Sequence, residues 1–154
     1  MKIKIILLAG LLVGTLDILA ASVDYYIATG NGPSGVLRFI ASGVFGGEAF
    51  TGSNAMIAWG LFFHYVIAFS FTILFFWLYL KVQLMRTYPF ATAILYGVFM
   101  WIITALIIVP LSNTPPMPFE LLKAIKAILI LIFMISLPLV YIAKGNTGRN
   151  SYSM

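Results

Sequence analysis

The sequence predicts an all-α membrane protein: a bundle of four transmembrane helices, with a short interfacial or re-entrant helix between the first and the second. Hydrophobic residues make up 62% of the chain and charged residues only 8%, against about 45–50% and about 25% in soluble domains. Four apolar stretches are each long enough to cross a hydrocarbon core of about 30 Å. No separate soluble domain fits into the 154 residues that contain them.

The four apolar stretches cover approximately residues 3–28, 55–80, 91–111 and 121–143. They predict helices, because a helix satisfies its own backbone in lipid and the runs are too continuously apolar for the strands of a barrel. We therefore expect residues 1–144 to form one transmembrane domain. Residues 145–154 are polar and contain glycine, and we expect them to form a flexible cytoplasmic tail.

The N-terminus shares some features with a secretory signal peptide. Lys2 and Lys4 precede an apolar run, and small residues occupy positions 20–22. However, Asp17 lies inside the apolar run, which continues as far as Ile27. This length favours a retained first transmembrane helix, and a cleaved signal is the alternative.

The connection over residues 30–54 is too long and too apolar for a simple loop. Pro33 and Ser34 are residues that commonly begin helices, and apolar residues follow them at helical spacing. Gly43, Gly46 and Gly47 would then end the helix. We predict a helix over about 33–47 at the outer membrane interface, with an irregular loop as the alternative.

The distribution of basic residues predicts which side of the membrane the termini occupy. Six basic residues flank the ends of the apolar stretches on one side: Lys2, Lys4, Lys81, Arg86, Lys144 and Arg149. By the positive-inside bias, both termini are cytoplasmic. Lys123 and Lys126 count against this, although Glu120 recurs at helical spacing with them and would partly neutralise their charge.

Small and polar residues form stripes on the first two predicted helices. On the first helix the stripe is Gly10, Gly14, Asp17, Ala21 and Asp24, and on the second it is Gly60, His64 and Ala68. The spacing of three or four residues puts each stripe on one helix face. Gly10 and Gly14 form a GxxxG pattern, which allows close approach of another helix. We expect both stripes to face protein and to pack helices together.

Asp17 and His64 are predicted to lie at the same depth, about 15 Å from the outer helix ends. An isolated carboxylate at mid-membrane costs at least about 2.5–3.5 kcal/mol, so we predict a hydrogen bond or ion pair between Asp17 and His64. Two interpretations remain open. The pair is a proton relay or solute site, or it joins two helices and contributes about 1 kcal/mol.

Outside the apolar stretches, Arg38 is the one basic residue between the first two helices. We predict that it pairs with Asp24 or Glu48 and so anchors the outer segment. The alternative is an anion-binding role for Arg38.

The sequence carries no signature of catalysis, cofactor binding or nucleic-acid binding. A single histidine excludes a zinc-binding His-x-x-x-His helix, and no phosphate-binding loop or GxSxG pattern occurs. Asp17, Glu48 and His64 are suitable ligand types for a metal but lack a ligand spacing. The basic residues lie beside apolar runs and not on a face with interleaved aromatics, so we expect no nucleic-acid partner. We predict no enzymatic activity, no metal and no cofactor.

Several short motifs resemble those of a known group of proteins. They are Leu16-Asp17-Ile18, Ile40-Ala41-Ser42-Gly43 with Phe45-Gly46, His64-Tyr65 with Ala68, Tyr96-Gly97, and Pro110-Leu111-Ser112. Together they resemble a group of small, uncharacterised four-helix bacterial inner-membrane proteins. The later half, from His64 to Thr114-Pro115-Pro116, is distantly similar to the YagU-like inner-membrane family. The resemblance implies a bacterial cytoplasmic membrane and a four-helix topology.

The function predicted from these features is that of a non-enzymatic structural or accessory membrane protein. It would act through helix–helix contacts in a homo-oligomer or a larger membrane complex, and the GxxxG stripe with Gly14 is its leading feature. The alternative is a small oligomeric channel or transporter that handles protons or a small solute through Asp17 and His64. A lipid-modifying enzyme is a more distant alternative. Apart from such protein partners, the expected environment is the lipid bilayer.

Overall fold

The computed structural model describes residues 3–149, and their regular structure is entirely helical. Within this range four helices are long and apolar enough to cross a membrane: Ile3–Thr29, Ala55–Lys81, Pro89–Leu111 and Leu121–Asn146. The structure therefore confirms an all-α protein with four candidate membrane spans. The chain is a multi-pass integral membrane protein.

The first two spans are continuous helices, whereas the last two each contain a wide π-helical segment. The first half consists of α1 (Ile3–Thr29), α2 (Ser34–Phe45), α3 (Glu48–Thr51), α4 (Ala55–Lys81) and α5 (Gln83–Thr87). The third span consists of α6 (Pro89–Trp101), π1 (Ile102–Ile108) and α7 (Val109–Leu111). The fourth consists of α8 (Leu121–Ile130), π2 (Leu131–Ser136) and α9 (Leu137–Arg149).

Both π-helical segments end just before a proline. Proline has no backbone N–H, so the carbonyl that a regular helix would pair with it lacks a donor. Before Pro138, the backbone N–H of Leu137 donates to the carbonyl of Ile132, five residues earlier. The wide turn thus continues the backbone hydrogen bonding up to the proline, which is how a span tolerates this residue in lipid.

A short helix lies where the sequence predicts one between the first two spans. It is α2, which begins after Pro33 and ends at Gly46. Gly46 has φ = 60°, a left-handed conformation that glycine adopts without the steric cost of a Cβ atom. This residue, and not the earlier Gly43, ends the helix.

The fourth span continues beyond the expected boundary at residue 143. Helix α9 extends to Arg149, so residues 145–149 are helical where the sequence predicts a flexible tail. No proline follows Pro138 in the sequence, and Gly145 and Gly148 each cost only about 1 kcal/mol within a helix, which the long preceding helix tolerates. Lys2 and the rest of the expected tail, residues 150–154, lie outside the described residues.

The apolar core occupies one half of the bundle. Its buried members are Ala9, Val13, Phe71, Phe75, Phe76, Tyr79, Ala93, Tyr96, Met100, Ile135, Leu139, Val140 and Ala143. These residues lie toward the start of α1 and the end of α9. We call this end of the bundle the terminal end, and the opposite end, which carries α2, the α2 end.

The third and fourth spans bury fewer side chains at the α2 end. Neither π1 nor α7 contains a buried residue, and α8 contains only Ala124. At the terminal end, by contrast, aromatic rings fill the space between helices: the rings of Phe75 and Tyr96 are 5.0 Å apart in a T-shaped arrangement, a geometry that aromatic pairs favour. The third and fourth spans are therefore less tightly packed at the α2 end than at the terminal end.

Candidate functional site

Helices α1 and α4 meet along the glycine stripe of α1. A Cβ atom added at Gly14 would lie 3.0 Å from the ring of Tyr65 and 3.1 Å from the Cβ of Ala68. A Cβ added at Gly10 would overlap the ring of Phe69. The GxxxG pattern therefore faces α4 of the same chain. Its role is to bring two spans of this protein together, so it is not free for a partner.

The stripe on α4 serves two neighbours instead of one. Ala68 is buried against Gly14, but Gly60 lies against the backbone carbonyl of Leu37 in α2. Gly60 thus allows the short helix α2 to pack closely on α4. The spacing of small residues in the sequence did not predict this contact. Ala21, also predicted to pack helices, is half-buried.

His64 joins α4 to α1 inside the membrane. Its side chain is 7% exposed, and its Nε2 lies 2.7 Å from the carbonyl oxygen of Gly14. Because a carbonyl oxygen only accepts hydrogen bonds, Nε2 carries the proton and donates it. A Cβ at Gly14 would crowd Tyr65 and Ala68 of α4, so the glycine lets the two helices approach closely enough for this bond.

A second interhelical bond lies beside the first. The hydroxyl oxygens of Tyr65 and Thr15 are 2.8 Å apart. Thr15 donates its own proton to the carbonyl of Leu11 at 2.7 Å, so Tyr65 is the donor to Thr15. The rings of His64 and Tyr65 are 5.4 Å apart in a T-shaped arrangement. These residues form a polar seam between α1 and α4, with Gly14 and Thr15 on one side and His64 and Tyr65 on the other.

Asp17 lies one turn of α1 beyond Gly14, about 18 Å from the end of the helix at Thr29. Its side chain is half-buried and is close enough to His64 for the two groups to interact electrostatically. Among residues 3–149, however, no hydrogen bond or salt bridge to its carboxylate occurs. The sequence predicts a hydrogen bond or ion pair between Asp17 and His64. In the structure, His64 forms its hydrogen bond with the carbonyl of Gly14 and not with the carboxylate of Asp17.

The ion pairing at the α2 end differs from the prediction. Asp24 pairs with Lys126 of α8, with 3.0 Å between Oδ1 and Nζ, and not with Arg38. The long, flexible stem of Lys126 lets its ammonium reach from α8 to the end of α1. This pair fixes the first span to the fourth.

Arg38 pairs with neither Asp24 nor Glu48 in the described structure. Its Nη1 donates to the carbonyls of Ala49 at 2.8 Å and Gly52 at 2.9 Å. Carbonyls at the C-terminal end of a helix lack helical donors and carry partial negative charge, which attracts a guanidinium group. Arg38 therefore anchors the outer segment, as predicted, but through the backbone of α3 and not through a carboxylate.

A further contact fastens α2 to the connection between the third and fourth spans. The backbone N–H of Asn113 donates to the carbonyl of Gly43 at 3.0 Å, and its Nδ2 donates to the carbonyl of Val44 at 2.9 Å. Ser42 adds a hydroxyl contact of 3.3 Å to Thr114. Sequence reasoning missed this contact, because nothing in the loop pattern around Asn113 indicates which distant helix end it caps.

The ionisable groups do not assemble into a metal site. Within the part of the chain that the structure describes, no three His, Asp or Glu side chains lie together. Asp17, Glu48 and His64 accordingly do not converge. What the seam does offer is an imidazole fixed at one ring nitrogen with a carboxylate nearby, an arrangement that can join helices or exchange a proton.

Comparison with models of protein families, with curated proteins and with solved structures gave no significant match to this chain. The resemblance to small four-helix inner-membrane proteins and to the YagU-like family therefore stays a prediction.

Proposed function

We propose that this protein is a non-enzymatic structural or accessory membrane component, which acts through helix–helix contacts with further copies or with another membrane protein. The observation that carries the proposal is the lack of a bonded partner for the carboxylate of Asp17. This carboxylate lies at membrane depth and forms no hydrogen bond or salt bridge in the described chain, where His64 is its one electrostatic neighbour. Charged groups inside membranes generally pair with another polar group, and here a second chain would supply it.

Three other intramembrane polar side chains support the same proposal. His64, Tyr65 and Tyr96 each bond to a neighbouring helix, Tyr96 through a 2.6 Å bond from its hydroxyl to the carbonyl of Phe71. They act as structural links within the bundle and do not need a transported solute to satisfy them. Because Gly10 and Gly14 are used inside the chain, the partner contact is assigned to the level of Asp17 and not to the GxxxG pattern.

The experiment is purification from native membranes in a mild detergent, with the mass and stoichiometry of the complex measured by light scattering. We expect the wild type to form a complex of fixed composition and Asp17→Asn to release it as a folded monomer. Asp24→Asn is the matched control, because Asp24 already pairs with Lys126, and it should keep the complex. A wild type that is monomeric and without a partner would refute the proposal.

A second candidate is a small oligomeric channel or transporter for protons or a small solute. It is favoured by the electrostatic interaction between Asp17 and His64 and by the absence of buried residues in π1 and α7 of the third span. Purified protein in liposomes that carry a pH-sensitive dye distinguishes the candidates. Proton movement that Asp17→Asn abolishes would replace the accessory role with this one, and inert liposomes would remove it.

We further propose the cytoplasmic membrane of a bacterium as the location, with both termini in the cytoplasm. The support is the resemblance described above and the concentration of basic residues at the terminal end, which is typical of cytoplasmic loops.

A further inference from the structure

Ser136 is the last residue of the π-helical segment in the fourth span. Its side chain is 0% exposed, and its hydroxyl oxygen has no hydrogen-bonding partner among residues 3–149. A buried hydroxyl without a partner is costly, because it loses its hydrogen bonds to water and gains none in return. A further polar partner is therefore expected beside Ser136.

Two other fully buried hydroxyls each bond to a carbonyl three or four positions earlier in the same helix. Thr72 donates to the carbonyl of Ala68 at 2.8 Å, and Ser42 donates to the carbonyl of Phe39 at 2.6 Å. Such bonds are common for serine and threonine inside helices. Ser136 departs from this arrangement in a π-helical segment, where the wider turn changes the spacing of the carbonyls below a side chain.

The backbone next to Ser136 contains a carbonyl that also lacks a helical donor. In an α-helix the carbonyl of Phe133 would accept from the N–H of Leu137, but Leu137 donates to Ile132 instead. In a π-helix it would accept from residue 138, which is a proline and has no N–H. The free carbonyl of Phe133 thus lies one turn from the hydroxyl of Ser136.

We propose that one water molecule binds here, inside the fourth span, where it accepts a hydrogen bond from the hydroxyl of Ser136 and donates one to the carbonyl of Phe133. Its second proton is available to the carbonyl of Met134, whose donor in an α-helix would be the missing N–H of Pro138. Buried water molecules typically form about three hydrogen bonds to groups that are otherwise unpaired. Ordered water is also one of the ways in which a transmembrane helix tolerates proline.

Water fits these groups better than a metal ion does. The groups are one hydroxyl and two carbonyls, all of them neutral, and no cluster of three His, Asp or Glu side chains occurs in the described part of the chain. The nearby side chains of Ile132, Ile135 and Leu139 are apolar and buried. A cation would therefore lose its hydration without gaining a countercharge. The proposal is independent of the function proposed above.

Water-edited solid-state NMR of the full chain in lipid bilayers tests the proposal, because it detects magnetisation that passes from bound water to nearby protein protons. In the wild type we expect transfer to residues 133–137 and none to the residues around Thr72, which is equally buried but already bonded to Ala68. Ser136→Ala removes the hydroxyl and should abolish the transfer. Thr72→Val is the matched control and should leave it unchanged.

A second variant acts on the backbone side of the same site. Pro138→Ala supplies the missing N–H, so the helix can satisfy its own carbonyls, and it should also abolish the transfer. Circular dichroism shows whether each variant keeps the helical fold. A wild type without transfer to residues 133–137 would overturn the proposal. Transfer that persists in Ser136→Ala or in Pro138→Ala would overturn it as well, since the water would then be held by other groups.

Discussion

The carbonyl oxygen of Gly14 accepts a 2.7 Å hydrogen bond from Nε2 of His64. The bond joins the first span to the second in the interior of the bundle and satisfies the N–H donor of the imidazole. It also explains why a glycine lies opposite a histidine, since a Cβ at Gly14 would crowd Tyr65 and Ala68. The polar group and the small residue are thus parts of one contact.

Replacement of His64 should test how much this bond contributes. We expect His64→Phe to lower the free energy of unfolding in detergent by about 0.6–1.7 kcal/mol, the range measured for side-chain hydrogen bonds between membrane helices. His64→Gln retains an N–H donor and should lose less. Ser70→Ala is the control, because Ser70 bonds only within its own helix. A His64→Phe variant as stable as the wild type would contradict the structural role.

Gly60→Ala should separate α2 from α4. The new Cβ would overlap the carbonyl of Leu37, and because backbone cannot rotate away, the helices must move apart. Overpacking of this kind costs about 1–3 kcal/mol, measurable as a lower melting temperature and faster hydrogen exchange in α2. Gly32→Ala is the control, since nothing lies within 4 Å of its Cβ position. Equal effects of the two substitutions would be inconsistent with the packing described.

Asn113→Ala should loosen the end of α2 without disrupting the spans. The substitution removes the side-chain bond to Val44 and leaves the backbone bond to Gly43. Loss of a bond worth about 1 kcal/mol should make exchange of the amides of residues 42–46 about fivefold faster. Asn31→Ala, an exposed asparagine in another loop, should have no such effect. Unchanged exchange in Asn113→Ala would show that its amide does not hold α2.

The pair of Asp24 and Lys126 should show a small but measurable coupling. Both side chains are partly exposed, at 37% and 41%, so we expect about 0.2–1 kcal/mol from a double-mutant cycle with Asp24→Asn and Lys126→Gln. The coupling should fall as salt concentration rises. A parallel cycle of Asp24→Asn with Arg38→Gln should give no coupling. A larger coupling energy of Asp24 with Arg38 than with Lys126 would support the pair of Asp24 and Arg38 that the sequence predicted.

Hydrophobicity and length were sufficient to predict the spans. A run such as that of α4 must be a helix in lipid, because no other local structure satisfies the backbone there. The short helix α2 was also predictable, because Pro33 and the glycines near Gly46 mark its ends. The exact end of α9 was not, since the residues after 143 contain neither a proline nor a strong helix stop.

The partners of polar residues were harder to predict. The sequence indicated that His64 needs a polar neighbour at the level of α1, but it could not distinguish a carboxylate from a backbone carbonyl exposed by Gly14. For the same reason the sequence predicted a carboxylate partner for Arg38, whose guanidinium bonds instead to the carbonyls of Ala49 and Gly52. The periodicity of side chains predicts which residues share a helix face, but it does not predict which backbone carbonyls accept hydrogen bonds from them.

The most direct test of the central claim, that four helices cross a bilayer, is labelling of single cysteines with a membrane-impermeant reagent in intact cells. The natural sequence has no cysteine, so each label reports one site. Ser53→Cys and Met117→Cys should react on one side of the membrane, and Thr87→Cys only on the other, after permeabilisation. Labelling of Ser53→Cys and Thr87→Cys from the same side would contradict the four-span arrangement.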